Sequence, residues 1–512
     1  MTDGSPGLLG ESLAAASAAQ PDAPAVITDG EATSYAELWS RALGVAGGVR
    51  DAAPPGSRVA LLAGNGPEYA IAYWGALLAG ATTVELNPGL GDAELRAQLA
   101  HARPSILLGE RAQLVRIAEP LAQEGAFAVH VPDPGATPVD AARRIPAALE
   151  GGRVPAAEPA PVDPSAVASV VYTSGTTGRP RGVCLRHASL AWTAGAIARS
   201  FGLDAPDPQE RLLGALPLFY TYGKSVLHLA TLLRSAIVFS RRLPSAPNLL
   251  RTLEAERVTH LSLVPFLGHL LLEAPGFCAE GLPALRRITV AGGALSGERL
   301  AELRRRFPGR VLPMYGLTEA STRVTCLPAD EAEGRPDSCG RPLAGVEVRV
   351  VGEDGRSQPP GEEGEIQVRG PNVMAGYLDD PEASAAALAD GWLRTGDLGR
   401  LDADGYLTVS GRLKDLIKVM GESVTAESVE TAIAAHPDVA EVAVRGVPDV
   451  RTGEAIAAFV VPRAGASPGV EAIRSHCASL LGRARIPAHV RFLAALPRTA
   501  SGKVRRHRLS LE

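Results

Sequence analysis

Val170-Val171-Tyr172-Thr173-Ser174-Gly175-Thr176-Thr177-Gly178-Arg179-Pro180-Arg181-Gly182-Val183 is the stretch on which the reading of this chain turns. The apolar, β-branched run from Ala166 to Tyr172 predicts a buried strand. It runs into a loop rich in glycine and hydroxyl side chains. Glycines let backbone N–H groups turn inward and approach an anion closely. The hydroxyls of Thr173, Ser174, Thr176 and Thr177 add donors, and Arg179 and Arg181 add permanent charge in a fork that matches phosphate oxygens. The chemistry points to a polyphosphate guest. The spacing is not that of the Gly-x4-Gly-Lys-Ser/Thr nucleotide loop, because Gly178 is followed by Arg179-Pro180. Gly223-Lys224-Ser225 fails the same pattern, with Leu218 where its first glycine belongs. Taken alone, such a loop is equally compatible with a surface turn. The rest of the chain decides.

At 512 residues the chain exceeds one compact domain, and its 46% hydrophobic content supplies sizeable cores. A net charge of −5 argues against general nucleic-acid binding. No apolar run reaches the ~18 residues of a membrane span. Met1-Thr2-Asp3-Gly4-Ser5 lacks the basic and apolar regions of a secretory signal, so a cytoplasmic location is expected. Cys184, Cys278, Cys326, Cys339 and Cys477 are scattered and odd in number, which predicts reduced thiols. Only Lys224, Lys414, Lys418 and Lys503 are lysines; 51 basic residues less these 4 leaves 47 arginines. Where arginine is taken almost everywhere, a surviving lysine marks a candidate for work needing a slim ammonium.

Residues 1–160 alternate helix and strand signals. Tyr35-Ala36-Glu37-Leu38 opens a helix, Arg58–Leu62 is a strand, and Pro67 starts a helix. Thr82–Leu86 and Ser105–Leu108 are further strands, which predicts α/β layers with parallel sheets. Later segments carry chemistry. Leu216-Pro217-Leu218-Phe219-Tyr220-Thr221-Tyr222-Gly223 is an aromatic cluster that can wall an apolar pocket or pack a core. Gly292-Gly293-Ala294 follows the predicted strand Arg287–Val290 and suits a flat ring against backbone, or a tight turn. Glu319, in Tyr315-Gly316-Leu317-Thr318-Glu319, is a carboxylate fit for a hard cation beside phosphates, or for the first turn of a helix. Asp397, in Trp392-Leu393-Arg394-Thr395-Gly396-Asp397, can accept from both ribose hydroxyls, or simply form a turn.

These segments, in this order, resemble the motifs of the adenylate-forming superfamily: acyl-CoA and aryl-CoA synthetases, peptide-synthetase adenylation domains and luciferases. The phosphate loop matches Tyr-Thr-Ser-Gly-Thr-Thr-Gly-x-Pro-Lys-Gly except at Arg181, where the family has lysine. Tyr315 to Glu319 matches Tyr-Gly-x-Thr-Glu, and Pro497 to Lys503 matches Pro-x-Thr-x-x-Gly-Lys.

The resemblance implies a large N-terminal domain, 1–411, of α/β layers with a β-barrel-like subdomain near 338–409. A hinge at 412–415, centred on Lys414, then leads to a small mobile α+β C-terminal domain, 416–512. It implies ATP on Thr173, Ser174, Gly175, Thr176, Thr177, Gly178 and Arg181, with Mg2+ on Glu319 and Thr318 beside it in the catalytic site. Adenine would lie on Gly292, Gly293, Ala294, Tyr315 and Gly316, and ribose on Asp397 and Arg412. Lys503 would bridge substrate carboxylate and α-phosphate. Gly421, with Lys418 nearby, would line the path of the coenzyme A thiol. Tyr220, Tyr222, Gly223, Val264, Phe266, Gly292 and Leu317 would line the acid pocket.

Tyr220 offers no counter-charge to an amino group, so a non-amino organic acid is expected, with Lys224 able to meet a second acidic group. The implied activity is acyl-AMP formation followed by transfer to coenzyme A. A carrier protein or amine as acceptor, and a non-catalytic nucleotide-binding homologue, stay open. Neither nucleic acid nor a membrane span is expected as a partner.

Overall fold

The computed structural model describes residues 7–117, 127–130, 145, 147–149, 157–173, 181–203, 205–241, 245–293, 295, 297–332, 334–419, 422–449, 453–481, 485–498 and 504–511. Two large sheets dominate. In one, the strands Val167–Thr173, Thr82–Glu85, Arg58–Leu62 and Ile106–Glu110 run parallel in that order. Antiparallel strands Arg181–Arg186 and Gly376–Tyr377 extend it on one side and Phe127–His130 on the other. The second sheet has nine strands. Its central six, Val311–Tyr315, Arg287–Val290, His260–Leu263, Arg211–Leu213, Ala236–Phe239 and Pro24–Thr28, are parallel. Val59, Val84 and Val170 are all buried, as expected of parallel strands enclosed on both faces.

The helices between the sheets explain the long apolar stretches. Pro67–Leu78 buries every residue except Glu68, and a helix apolar all round belongs inside. Proline at its first position fixes the φ that a helix start needs. Thr221–Leu232 is almost as enclosed, with Leu227 and Leu229 in the cluster that also holds Trp74, Leu61 and Ile237.

The expected strands at Arg58–Leu62 and Arg287–Val290 are present with those bounds. Val264-Pro265-Phe266 is the N-cap and first turn of the helix Pro265–Leu272. Proline at a first helical position reads like a turn in sequence.

The barrel-like subdomain is an antiparallel sheet of Glu347–Val351, Gly364–Arg369, Trp392–Leu401, Leu388–Ala389 and Leu407–Arg412. Its last strand ends at Arg412, a single 3-10 turn occupies Leu413–Asp415, and Leu416–Val419 enters a different sheet. That sheet pairs Leu416–Val419 with Glu422–Thr425 and Gly453–Pro462, and adds Val439–Asp449 and His489–Phe492. The helices Ala426–Ala434 and Val470–Leu480 cover it with Val429, Ile433 and Ile473. All five cysteines are free thiols. No helix among the described residues is long and apolar enough to cross a membrane.

Candidate active site

Three distant segments meet at Asp397. Cross-strand register sets Asp397 opposite Arg412, and Arg412 Nε lies 2.8 Å from Asp397 Oδ1. Tyr315, at the end of its strand, donates its hydroxyl to Asp397 Oδ2 at 2.7 Å. The Asp397 side chain is only 5% exposed, while that of Arg412 is 47% exposed. The pair therefore has a fixed carboxylate and a cation that still faces solvent. Burial and the Asp397 charge hold the Tyr315 phenol well above its ordinary range, so it stays a donor. Asp397 in turn pushes the Arg412 guanidinium up.

Gly316 follows Tyr315 and has a steric reason to lack a side chain. A Cβ there would fall 1.7 Å from the Thr322 carbonyl oxygen. Thr318 and Glu319 form a short 3-10 turn after Leu317. The Glu319 carboxylate accepts from Tyr377 Oη at 3.1 Å. Tyr377 also lies under Arg181, whose guanidinium carbon is 5.3 Å from the ring centroid. Arg181 Nε is 3.7 Å from Asp380 Oδ2. Arg181 and Glu319 are thus joined through one aromatic ring. Thr173 sits opposite Arg181 in the strand pair that brackets the phosphate loop. Tyr377 and Asp380 were not legible as site residues; their only signal is an aromatic and an acid in a Gly-Tyr segment far from either partner in sequence.

Around the aromatic segment, Tyr222 Oη and Thr289 Oγ1 are 2.9 Å apart, and Tyr220 Oη accepts from Asn87 Nδ2 at 3.3 Å. Gly223 is required by packing, since a Cβ would meet the Pro217 carbonyl at 2.3 Å. Gly292 and Gly293 follow their strand beside Val264 and Pro265. Leu317 packs partly buried against the main core. Phe266 stands apart: it is 39% exposed, and Arg498 lies over its ring at 5.7 Å.

Lys224 does not reach out to meet a substrate acid. It is sealed inside, paired with Glu85, and its ammonium lies 3.2 Å from Ser169 Oγ and 4.6 Å from the Tyr73 ring centroid. Its helix turns it toward the other sheet, a direction that the Gly-Lys-Ser spacing does not reveal. Ser174, Gly175, Thr176, Thr177, Gly178, Ala294, Gly421 and Lys503 lie outside the described residues, as do the side chains of Lys414 and Lys418.

Glu319 fits a magnesium site of the kind completed by phosphate oxygens and water. Among the described residues it forms no salt bridge, and a single carboxylate is the usual protein share of such a site. No group of three or more acidic, histidine or cysteine side chains poised for a metal occurs among the described residues.

Comparison with known proteins agrees with this geometry. Residues 13–378 match the model of AMP-binding enzymes, and residues 428–503 match the AMP-binding enzyme C-terminal domain. A feruloyl-CoA synthase from Amycolatopsis sp is 35% identical over 492 residues, covering 94% of each chain. A 2-succinylbenzoate–CoA ligase from Bacillus licheniformis is 33% identical, covering 96% of this chain and 97% of its own. The o-succinylbenzoate CoA synthetase from Bacillus subtilis, solved with its acyl-adenylate intermediate, superposes with a TM-score of 0.84 at 29% identity over 97% of both chains. This chain belongs to the AMP-binding enzyme family, with its large N-terminal and small C-terminal domain.

Proposed function

We propose that this chain is an AMP-forming acid–thiol ligase that joins a non-amino organic acid to coenzyme A at the expense of ATP. The observation that supports this most is the convergence of Tyr315 and Arg412 on the buried Asp397, beside the Arg181–Tyr377–Glu319 cluster. Asp397 and Arg412 would hold the ribose, and Tyr315 would stack on adenine. Thr173 to Gly178 and Arg181 would hold the β- and γ-phosphates, with Gly292, Gly293, Ala294 and Gly316 against the base. Glu319 would hold magnesium, which supplies charge neutralisation on the phosphates, with Thr318 beside it in the catalytic site.

A carboxylate oxygen of the acid attacks the α-phosphorus, the bond to the bridging oxygen breaks, and pyrophosphate leaves. Both reactants are anions, so the barrier is electrostatic and positional. Lys503 would bridge the two anions. The coenzyme A thiol then attacks the acyl carbonyl; AMP leaves and the thiol proton is released. For that step the unit 416–512 would turn about Lys414, the residue inside the single 3-10 turn between two sheets. That turn would withdraw Lys503 and bring Gly421 and Lys418 to the thiol path.

The relatives' acids differ, from ferulate to 2-succinylbenzoate, so identity of the acid rests on a pyrophosphate-release screen over aliphatic, aryl and hydroxy acids. An amide bond synthetase from Marinactinospora thermotolerans has the same fold, with a TM-score of 0.83 at 28% identity. Coenzyme A, a holo-carrier protein and an amine are therefore compared as acceptors. The decisive variant is Lys503→Ala. It loses adenylate formation by about 1,000-fold, the scale of removing a preorganised electrostatic partner, and keeps thioester formation from supplied acyl-AMP. Equal loss in both half-reactions overturns the division of labour. ATP left intact with every acid overturns the ligase reading and favours a nucleotide-binding regulator.

A further inference from the structure

Two residues beyond Glu319 the chain makes a turn that nucleotide chemistry does not require. Ser321 and Thr322 both adopt left-handed backbone, with φ of 49° and 84°, which is costly outside glycine. The turn is clamped. Thr322 N–H donates to the Leu317 carbonyl and Val324 N–H to that of Tyr315, each at 2.9 Å. The buried Asn372 donates Nδ2 to the carbonyls of Ala320 and Arg323, at 3.4 and 2.8 Å. The consequence is that Arg323 enters the interior and is only 3% exposed.

There it finds incomplete company. Its guanidinium lies 5.1 Å from the Tyr222 ring centroid and donates to Met314 Sδ, while its Nε has no partner. No described carboxylate pairs with it, in contrast to buried Lys224 with Glu85 and Arg287 with Glu210. Beyond Tyr222 come neutral groups: Thr289 Oγ1, then Ser262 Oγ at 3.0 Å. An enclosed guanidinium without an anion is costly, and its contacts with a thioether and with the ring and hydroxyl of Tyr222 offset only part of that cost. Thr221, next to Tyr222, and Ser225, three residues further on, line a cavity with Lys224 and with Ser321, whose Oγ also lacks a partner; Tyr222 and Arg323 stand behind this lining. Tyr222 belongs to the segment assigned above to the acid pocket.

We propose that the activated acid carries a second anionic group at its far end, a dicarboxylate in the simplest case, and that Arg323 is the specificity-determining residue that pairs with it. This rests on the ligase reading. A buried guanidinium rejects a ligand lacking the charge because its donors are then left unpaired.

The test is acid-dependent pyrophosphate release with matched pairs, hexanoate against adipate and phenylpropanoate against its 4-carboxy analogue, each pair with an ω-sulfonate arm. In the native chain at least one pair shows kcat/KM about 10-fold or more higher for the dianion. In Arg323→Met the dianion-to-monoanion ratio falls by about 100-fold, and in Arg323→Lys by less, because a point charge retains attraction without the fork. A sulfonate that matches the carboxylate supports recognition of charge; a carboxylate-only preference supports recognition by the fork. A native preference for the monoanion in both pairs, or a ratio indifferent to Arg323→Met, overturns the proposal. If Arg323→Met does not fold, the native ratios alone decide. Turnover with monoanions and no dianion preference sinks this inference only, whereas no turnover with any acid sinks the ligase reading and this inference with it.

Discussion

Glu85 and Asp397 are both buried carboxylates holding a cation, yet their partners differ in access to water. Glu85 is saturated from within. Lys224, Thr83, Ser169 and Tyr69 all donate to it, and the side chains of Lys224 and Glu85 are 2% and 0% exposed. Asp397 is equally enclosed, but its cation Arg412 is half in solvent. In the first arrangement both charges are closed off from solvent. The second presents a fixed carboxylate edge and a cation whose remaining nitrogens can turn to a guest. Residue type does not separate structure from function here; the exposure of one partner does.

Removing one member of the sealed pair has the largest expected effect. Lys224→Met leaves Glu85 buried and uncompensated, and costs about 3–5 kcal/mol of folding stability. The double variant Lys224→Met with Glu85→Leu recovers most of this loss, because both charges are then gone. Urea unfolding of the two variants checks it. A single variant as stable as the native chain but inactive would break the comparison and return Lys224 to the substrate.

The open pair responds in the opposite way. Asp397→Asn keeps the shape and leaves Arg412 solvated, so the melting temperature moves little. If Asp397 holds the ribose as proposed, asparagine cannot accept from its two hydroxyls with a full negative charge, and two charge-assisted bonds weaken. The expected loss in kcat/KM for ATP is about 100-fold, from roughly 1.5 kcal/mol per bond. Steady-state kinetics and a thermal melt on the same preparation distinguish this from a folding defect. A large drop in melting temperature with unchanged kinetics would make Asp397 a second sealed anchor.

Most of the fold was legible in sequence because its physical signals are local. The apolar run at Arg58–Leu62, the proline before Glu68 and the strand Arg287–Val290 each declare themselves within a few residues. Asp397 and Glu319 were singled out in sequence by glycine-flanked motifs that resemble the family's, and their roles are the proposal made above. What sequence did not disclose is direction. Nothing in Gly223-Lys224-Ser225 says that Lys224 points to Glu85. Nothing near Arg323 announces two consecutive left-handed residues, since serine and threonine have no special tolerance for them. Tyr377 joins Arg181 to Glu319 only because an antiparallel edge strand sets it beside Val183. Such contacts are products of topology, and local pattern does not encode them.

The smallest expected effect sharpens the contrast through pH. His228 accepts or shares a proton with Tyr73 Oη at 2.8 Å inside the Glu85 network, and burial, with Lys224 and His187 facing it, pushes its pKa down to about 3. The ordinary value is 6.5. Below that pH the unfolded chain takes up a proton that the folded chain refuses, so this contribution to stability is complete above 6.5 and lost progressively as pH falls toward 3. The slope is about 1.4 kcal/mol per pH unit, which makes about 2 kcal/mol at pH 5. His260, with a pKa of about 3, and His187, at about 4, act in the same direction. His228→Gln keeps a hydrogen-bonding group and cannot titrate, so it removes its own share, about 2 kcal/mol, of the acid-side loss between pH 7 and pH 5. Arg412 and Tyr315 add nothing in this window, because both are pushed further toward their protonated forms. Melting temperatures of the native chain and the variant at both pH values decide it. Parallel curves would mean that water reaches His228, and the network would then be no more sealed than the pair at Asp397.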